Sequence, residues 1–160
     1  MRRTAVLLFS LTAAGAAFAS GGEGGHMGGG VGESGPSSTP VSAQDWYNAG
    51  YSKTDAGRYD EAVSDFKTAI SLRSDYAEAY NMLGFCTRKL GNVDEAFTYY
   101  DKALQLKPNF PEAREYYGEA YLQQGNLAKA MQQYIILEKA GSKQARELLK
   151  KIEDFVKQKS

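Results

Sequence analysis

The sequence is short of the residues on which most enzyme chemistry depends. Its 160 residues include one cysteine, Cys86, and one histidine, His26. A lone cysteine closes no internal disulfide, and a lone histidine builds neither a histidine-based metal site nor a histidine-centred triad within one fold. Neither sign of charge is in excess, since 19 Lys and Arg face 19 Asp and Glu. Affinity for a phosphate backbone comes from clustered basic residues, so a general nucleic-acid binder is disfavoured. Long apolar runs are missing too. The stretch from Thr4 to Phe18 thins to Ala and Gly and falls short of the ~20 residues that a spanning helix needs. Proline is scarce at 4 residues, whereas glycine is not, at 17.

The glycines are unevenly placed. Nine of them lie between Gly21 and Gly35, so the tail and the rest of the chain are read separately. Residues 1–19 have the layout of a secretory signal: Arg2 and Arg3 form a basic start, an apolar stretch follows, and Ala17-Phe18-Ala19 offers the small residues that a signal peptidase accepts. The expectation is cleavage after Ala19, export to the periplasm or beyond the cell, and no stable membrane insertion afterwards. With Arg2 and Arg3 removed, 17 bases would face 19 acids, a net charge of minus two. Residues 20–42 are Gly, Ser and Pro with few apolar side chains, which predicts a flexible tether because too little surface can be buried to offset the entropy of ordering. His26-Met27 within that run lacks the further ligands that a metal site would need. No cofactor is expected.

The remainder repeats with a period of 34. Gly50, Gly84 and Gly118 are in register, as are Gly57, Gly91 and Gly125, and Ala62, Ala96 and Ala130. Aromatics follow at Phe66, Tyr100 and Tyr134. Within a copy, Trp46, Ala49, Gly50 and Lys53 share one helical face, and Ala62, Phe66, Ala69 and Ile70 mark a second helix. Each unit is therefore a helix pair, with copies at 43–76, 77–110 and 111–144. A glycine inside a helix costs roughly 1 kcal/mol relative to alanine, so the three in register predict a close approach of backbones opposite Ala62, Ala96 and Ala130. Gly57, Gly91 and Gly125 suit a left-handed helix end. After Gly141, Ser142 can cap a last helix over 145–160 with Ala145, Leu148, Leu149, Ile152, Phe155 and Val156 on its apolar face.

These residues resemble the tetratricopeptide repeat family, most fully in the second copy through Tyr80, Leu83, Gly84, Gly91, Ala96, Tyr100, Ala103 and Pro108. The resemblance implies an all-α, right-handed solenoid of three helix-turn-helix units plus a C-terminal capping helix. Departures are Ser74 at the proline place of the first copy, Lys53 and Thr87 at the usual tyrosine, and Leu137 at the last small residue of the third. The resemblance also implies a concave groove lined by the first helix of each unit. The first copy supplies Gln44, Tyr47, Asn48, Tyr51, Thr54 and Asp55; the second Glu78, Asn81, Met82, Phe85, Arg88 and Lys89; the third Glu112, Glu115, Tyr116, Glu119, Leu122 and Gln123. The Lys and Asn carboxylate clamp of some members is replaced here by Tyr47, Tyr51, Met82, Glu112 and Tyr116.

What is left is an aromatic groove, with Arg88 and Lys89 expected on one flank and Glu112, Glu115 and Glu119 on the other. A partner segment with apolar and mixed charged groups would fit it. The expected function is a non-enzymatic interaction scaffold that binds a protein or peptide; the alternative is a solenoid that assembles with itself. Nothing in the sequence indicates the desolvation that would tune one of the three glutamates as an acid. Cys86, beside core positions, reads as a small buried hydrophobe.

Overall fold

Glycine placement sets the turns. In the computed structural model, which describes residues 42–159, Gly57, Gly91 and Gly125 have φ of 73°, 91° and 80°, a left-handed conformation that side chains with a Cβ avoid. Each ends a helix in the same way. The glycine N–H donates to the carbonyl three residues back, and the next N–H donates to the carbonyl five residues back, as in Gly57 to Thr54 at 3.0 Å and Arg58 to Lys53 at 2.9 Å. This pairing satisfies the orphan carbonyls of a helix C-terminus. Gly141, with φ of 64°, repeats it through bonds to Glu138 and from Ser142 to Leu137.

The helices are α1 Ala43–Asp55, α2 Tyr59–Leu72, α3 Ala77–Lys89, α4 Val93–Leu106, α5 Pro111–Gln123, α6 Leu127–Lys139 and α7 Gln144–Lys159. Ser42 opens α1: its Oγ accepts from the Asp45 N–H at 3.1 Å and Asp45 Oδ2 accepts from the Ser42 N–H at 3.0 Å, a reciprocal cap visible as Ser-x-x-Asp in the sequence. Asp60 and Glu61 in α2, and Asp94 and Glu95 in α4, sit in the first turn, where the helix dipole favours negative charge. Ser142 Oγ accepts from the Gln144 N–H at 3.2 Å and so starts α7. The leader, and all of the tether except Ser42, lie outside the described residues.

Pairs α1/α2, α3/α4 and α5/α6 pack as antiparallel hairpins, and each pair joins the next through α2/α3 and α4/α5. The first helices also touch one another, α1 with α3 and α3 with α5, whereas among the described residues α2, α4 and α6 do not meet. A stack that is closer on one side curves toward that side, so α1, α3 and α5 line the concave face. α7 packs on both α5 and α6 and closes the end of the core. The architecture is an all-α helical repeat solenoid.

The packing corrects two expectations. A Cβ added at Gly50 would come within 2.9 Å of the Phe66 ring, and one at Gly84 within 2.8 Å of the Tyr100 ring. The glycines therefore make room for an aromatic ring, while Ala62, Ala96 and Ala130 are fully buried in their own right. At Gly118 the crowding group is Leu148 of α7, at 2.5 Å, and not the in-register Tyr134. Tyr134 is half-buried, with its hydroxyl donating to Glu138 at 2.6 Å. α7 lies across α5 and fills that space itself. Of its expected apolar face, Ala145, Leu148 and Ile152 are buried and Leu149 and Phe155 are half-buried, but Val156 stays 43% exposed.

Two residues that depart from the repeat pattern have structural uses. Lys53 Nζ lies 2.7 Å from the buried Asp65 carboxylate on α2. Thr87 is buried in α3. Cys86 is fully buried, 3.2 Å from Thr54 Oγ1, and burial pushes its thiol pKa up.

Candidate functional site

The concave face begins on α1. Tyr47 is half-buried, its ring 5.0 Å from that of Tyr76 and 5.6 Å from that of Phe66, so it belongs as much to the core as to the groove. Burial, with Tyr76 next, raises its phenol pKa to about 12. Tyr51, one turn on and 6.2 Å away, is 46% exposed. Asn48 is exposed, and its Oδ1 accepts from Gln44 at 2.9 Å. With Ser52 and Asp55 these residues line a shallow cleft of about 390 Å³.

On α3, Phe85 places its ring 5.0 Å from Tyr116 of α5 and 6.2 Å from Tyr59. The Tyr116 phenol pKa is raised by burial and by Glu115, Glu119 and Tyr51, so tyrosines of α1 and α5 feel each other across α3. Asn81, one turn before Phe85, is only 3% exposed, and its Oδ1 accepts no hydrogen bond. It does not present itself to the groove as the sequence suggested.

Arg88 is the larger revision. Its guanidinium does not stand on a flank opposite the glutamates; it is buried and held at 2.9 Å by Glu119 of α5, with Nε donating to the Tyr100 hydroxyl at 3.4 Å. One side chain thus ties α3, α4 and α5 together. Lys89 remains exposed, its ammonium 5.6 Å from the centre of the Phe85 ring.

The glutamates of α5 are also different from expectation. Glu115 is half-buried, and burial, followed by the charges of Glu119, Glu147 and Glu112, pushes its pKa up to about 7, with Lys151 opposing. Desolvation is therefore present where the sequence showed no sign of it. A carboxyl near neutrality can exchange a proton at physiological pH. Glu112 Oε1 accepts from Gln144 at 2.9 Å.

Sequence reasoning missed α7 as a wall of the groove. Lys151 lies 4.0 Å from Glu119, and Lys151, Asp154, Phe155 and Gln158 join Arg88 and Glu119 around a cleft of about 370 Å³. The signal was there in part: α7 has a second, charged face beside its apolar one. Gln144 meets Glu112 at a separation of 32 residues, the same as Tyr76 with Gln44 two repeats earlier, so α7 stacks on α5 as the next first helix would; it was hidden because its residues do not carry the repeat pattern. A larger cleft of about 440 Å³, including Phe110, Pro111, Ile136 and Ala140, opens elsewhere, between the start of α5 and the end of α6. Among the described residues no group of three or more His, Cys, Asp or Glu is arranged to hold a metal ion, and no helix is long and apolar enough to cross a membrane.

Two family models described as tetratricopeptide repeat match the chain, over residues 47–111 and 88–152. Among solved structures it is similar to MamA, with 29% identity and a TM-score of 0.55 over 69% of this chain; it spans only 60% of the length of that one. It is similar to PcrH in complex with the chaperone-binding region of PopD, with 23% identity and a TM-score of 0.64 over 73% of this chain and 92% of that one. The Yersinia enterocolitica secretion chaperone SycD, solved with a peptide of the translocator YopD, is 21% identical with a TM-score of 0.62, over 71% of this chain and 88% of the other. No curated protein sequence is a significant match.

Proposed function

Because the chain belongs to the tetratricopeptide repeat family over residues 47–152, in general a family of non-enzymatic interaction modules, we propose that it is an exported scaffold that holds an extended protein segment against α1, α3, α5 and α7. The carrying observation is that aromatic side chains recur along that face, with Tyr51 exposed on α1 and the Phe85 and Tyr116 rings 5.0 Å apart on α3 and α5. Rigid aromatic side chains lose little rotamer freedom on contact. That PcrH and SycD were solved with segments of PopD and YopD supports the same use of this fold. The leader of residues 1–19 would direct export, and the glycine-rich stretch would give the module reach.

The test is capture of partner proteins from the native compartment by crosslinking, comparing wild type with a Tyr51→Ala, Phe85→Ala double variant. Tyr47 is spared because its ring packs on Phe66 and Tyr76. Capture should be lost while helical circular dichroism is kept. Unchanged capture would move the binding surface to another face. N-terminal sequencing of the exported chain tests cleavage after Ala19. A second reading, self-assembly, draws on Ile135 and Ile136, which α6 leaves 40% and 41% exposed; a monomer in sedimentation at high concentration would exclude it.

A further inference from the structure

Charge is not balanced along the concave face. At the level of Glu119 it is: Arg88 lies at 2.9 Å and Lys151 at 4.0 Å, and Lys89 stands near by over Phe85. One turn toward the start of α5 it is not. Glu115 has Glu112 and Glu119 on its own helix and Glu147 facing it from α7; against these acts Lys151, and among the described residues Glu115 forms no ion pair. Arg88 faces this region from α3 but is spent on Glu119. Beside the carboxylates stands the ring of Tyr116, which attracts a cation, while the neighbouring Phe85 ring already has Arg88 at 5.5 Å and Lys89 at 5.6 Å. The deficit is of positive charge, and Arg88, expected on a flank of the groove, is withdrawn into the α3–α5 seam.

We propose that the groove selects a cationic segment: an extended peptide whose lysine or arginine sits against Glu112, Glu115 and Glu147 while its neighbouring apolar side chains lie on Tyr51, Phe85 and Tyr116. This rests on the groove being the binding surface and adds the sign of the partner's charge. A cation brought to this place favours the ionised form of Glu115. The free protein holds a proton there below about 7, so binding at pH 6 releases it and is weaker than at pH 8. For one proton the affinity changes by at most about tenfold per pH unit below that value and levels off above it.

The experiment uses the full chain and pools of fluorescent synthetic peptides with randomised flanks and a fixed central Lys, Arg, Gln or Glu, titrated at low ionic strength. At pH 8 the Lys and Arg pools should bind about tenfold or more tighter than the Glu pool. The gap should narrow at pH 6 and collapse in Glu115→Gln combined with Glu112→Gln, a variant checked for helicity. Pools that bind through Tyr51 and Phe85 without preferring Lys or Arg overturn the charge assignment and leave the groove reading standing. Binding that ignores Tyr51→Ala with Phe85→Ala overturns both. No binding by the basic pools also overturns the assignment.

Discussion

Two kinds of glycine behave differently at the residue scale. Gly84 sits in ordinary helix, and a methyl there meets the Tyr100 ring at 2.8 Å. Tyr100 is fully buried, so the ring has nowhere to go, and Gly84→Ala should destabilise by roughly 1–3 kcal/mol, as overpacking does. Gly57 has open space around it but a φ of 73°. Alanine there meets backbone strain alone, about 1 kcal/mol. Urea melts of the two variants would rank them, and an equal loss would mean that crowding is relieved elsewhere. Glu115 adds a pH signature. Its pKa rises from 4.5 to about 7 on folding, so the native state binds more protons than the unfolded chain between those values. Stability therefore falls as pH rises through that window, and the loss is complete above it. Glu115→Gln should be more stable than wild type at pH 8, on the order of 1 kcal/mol after allowance for solvent screening. Near pH 4 the difference should disappear. The same gain at both pH values would assign the effect to packing.

Among the elements, α7 has two tasks, since it closes the core and forms the last wall of the groove. Leu148 is fully buried and occupies the notch left by Gly118. Leu148→Ala should cost roughly 3 kcal/mol, and Gly118→Ala should be harmful through collision with the same side chain. Combined, the two should be less harmful than their sum by about 1 kcal/mol or more, because the smaller residue removes the clash. Strict additivity in urea unfolding would show that Gly118 and Leu148 do not compete for space. The helix hairpins were legible from in-register glycines and alanines, since a left-handed turn and a tight seam admit few other residues. The groove was legible only as far as that register ran. The Arg88–Glu119 pair, spaced 31 residues apart, depends on how neighbouring first helices meet, which no periodicity within a copy reveals, and α7 stacks where a next first helix would without carrying the repeat's residues. Glu115 escaped for a related reason: its raised pKa comes largely from burial, together with the charges of Glu112, Glu119 and Glu147 on two helices.

As a whole, the stack is built from contacts between neighbours in sequence, with the longest reach being first helix to next first helix. Such a molecule need not open all at once. Weakening one end should therefore be felt at that end first. In Leu148→Ala, amide hydrogen exchange should quicken in α6 and α7 well before α1 to α3, and uniform acceleration across all seven described helices would indicate a single cooperative unit instead. The seam at the other end carries its own reporter. Cys86 is the chain's one thiol, sealed between α3 and Thr54 of α1. An alkylating reagent can reach it only when the packing of α1 and α2 on α3 opens. The rate at which iodoacetamide marks the protein is thus a clock for that separation, read without any added probe.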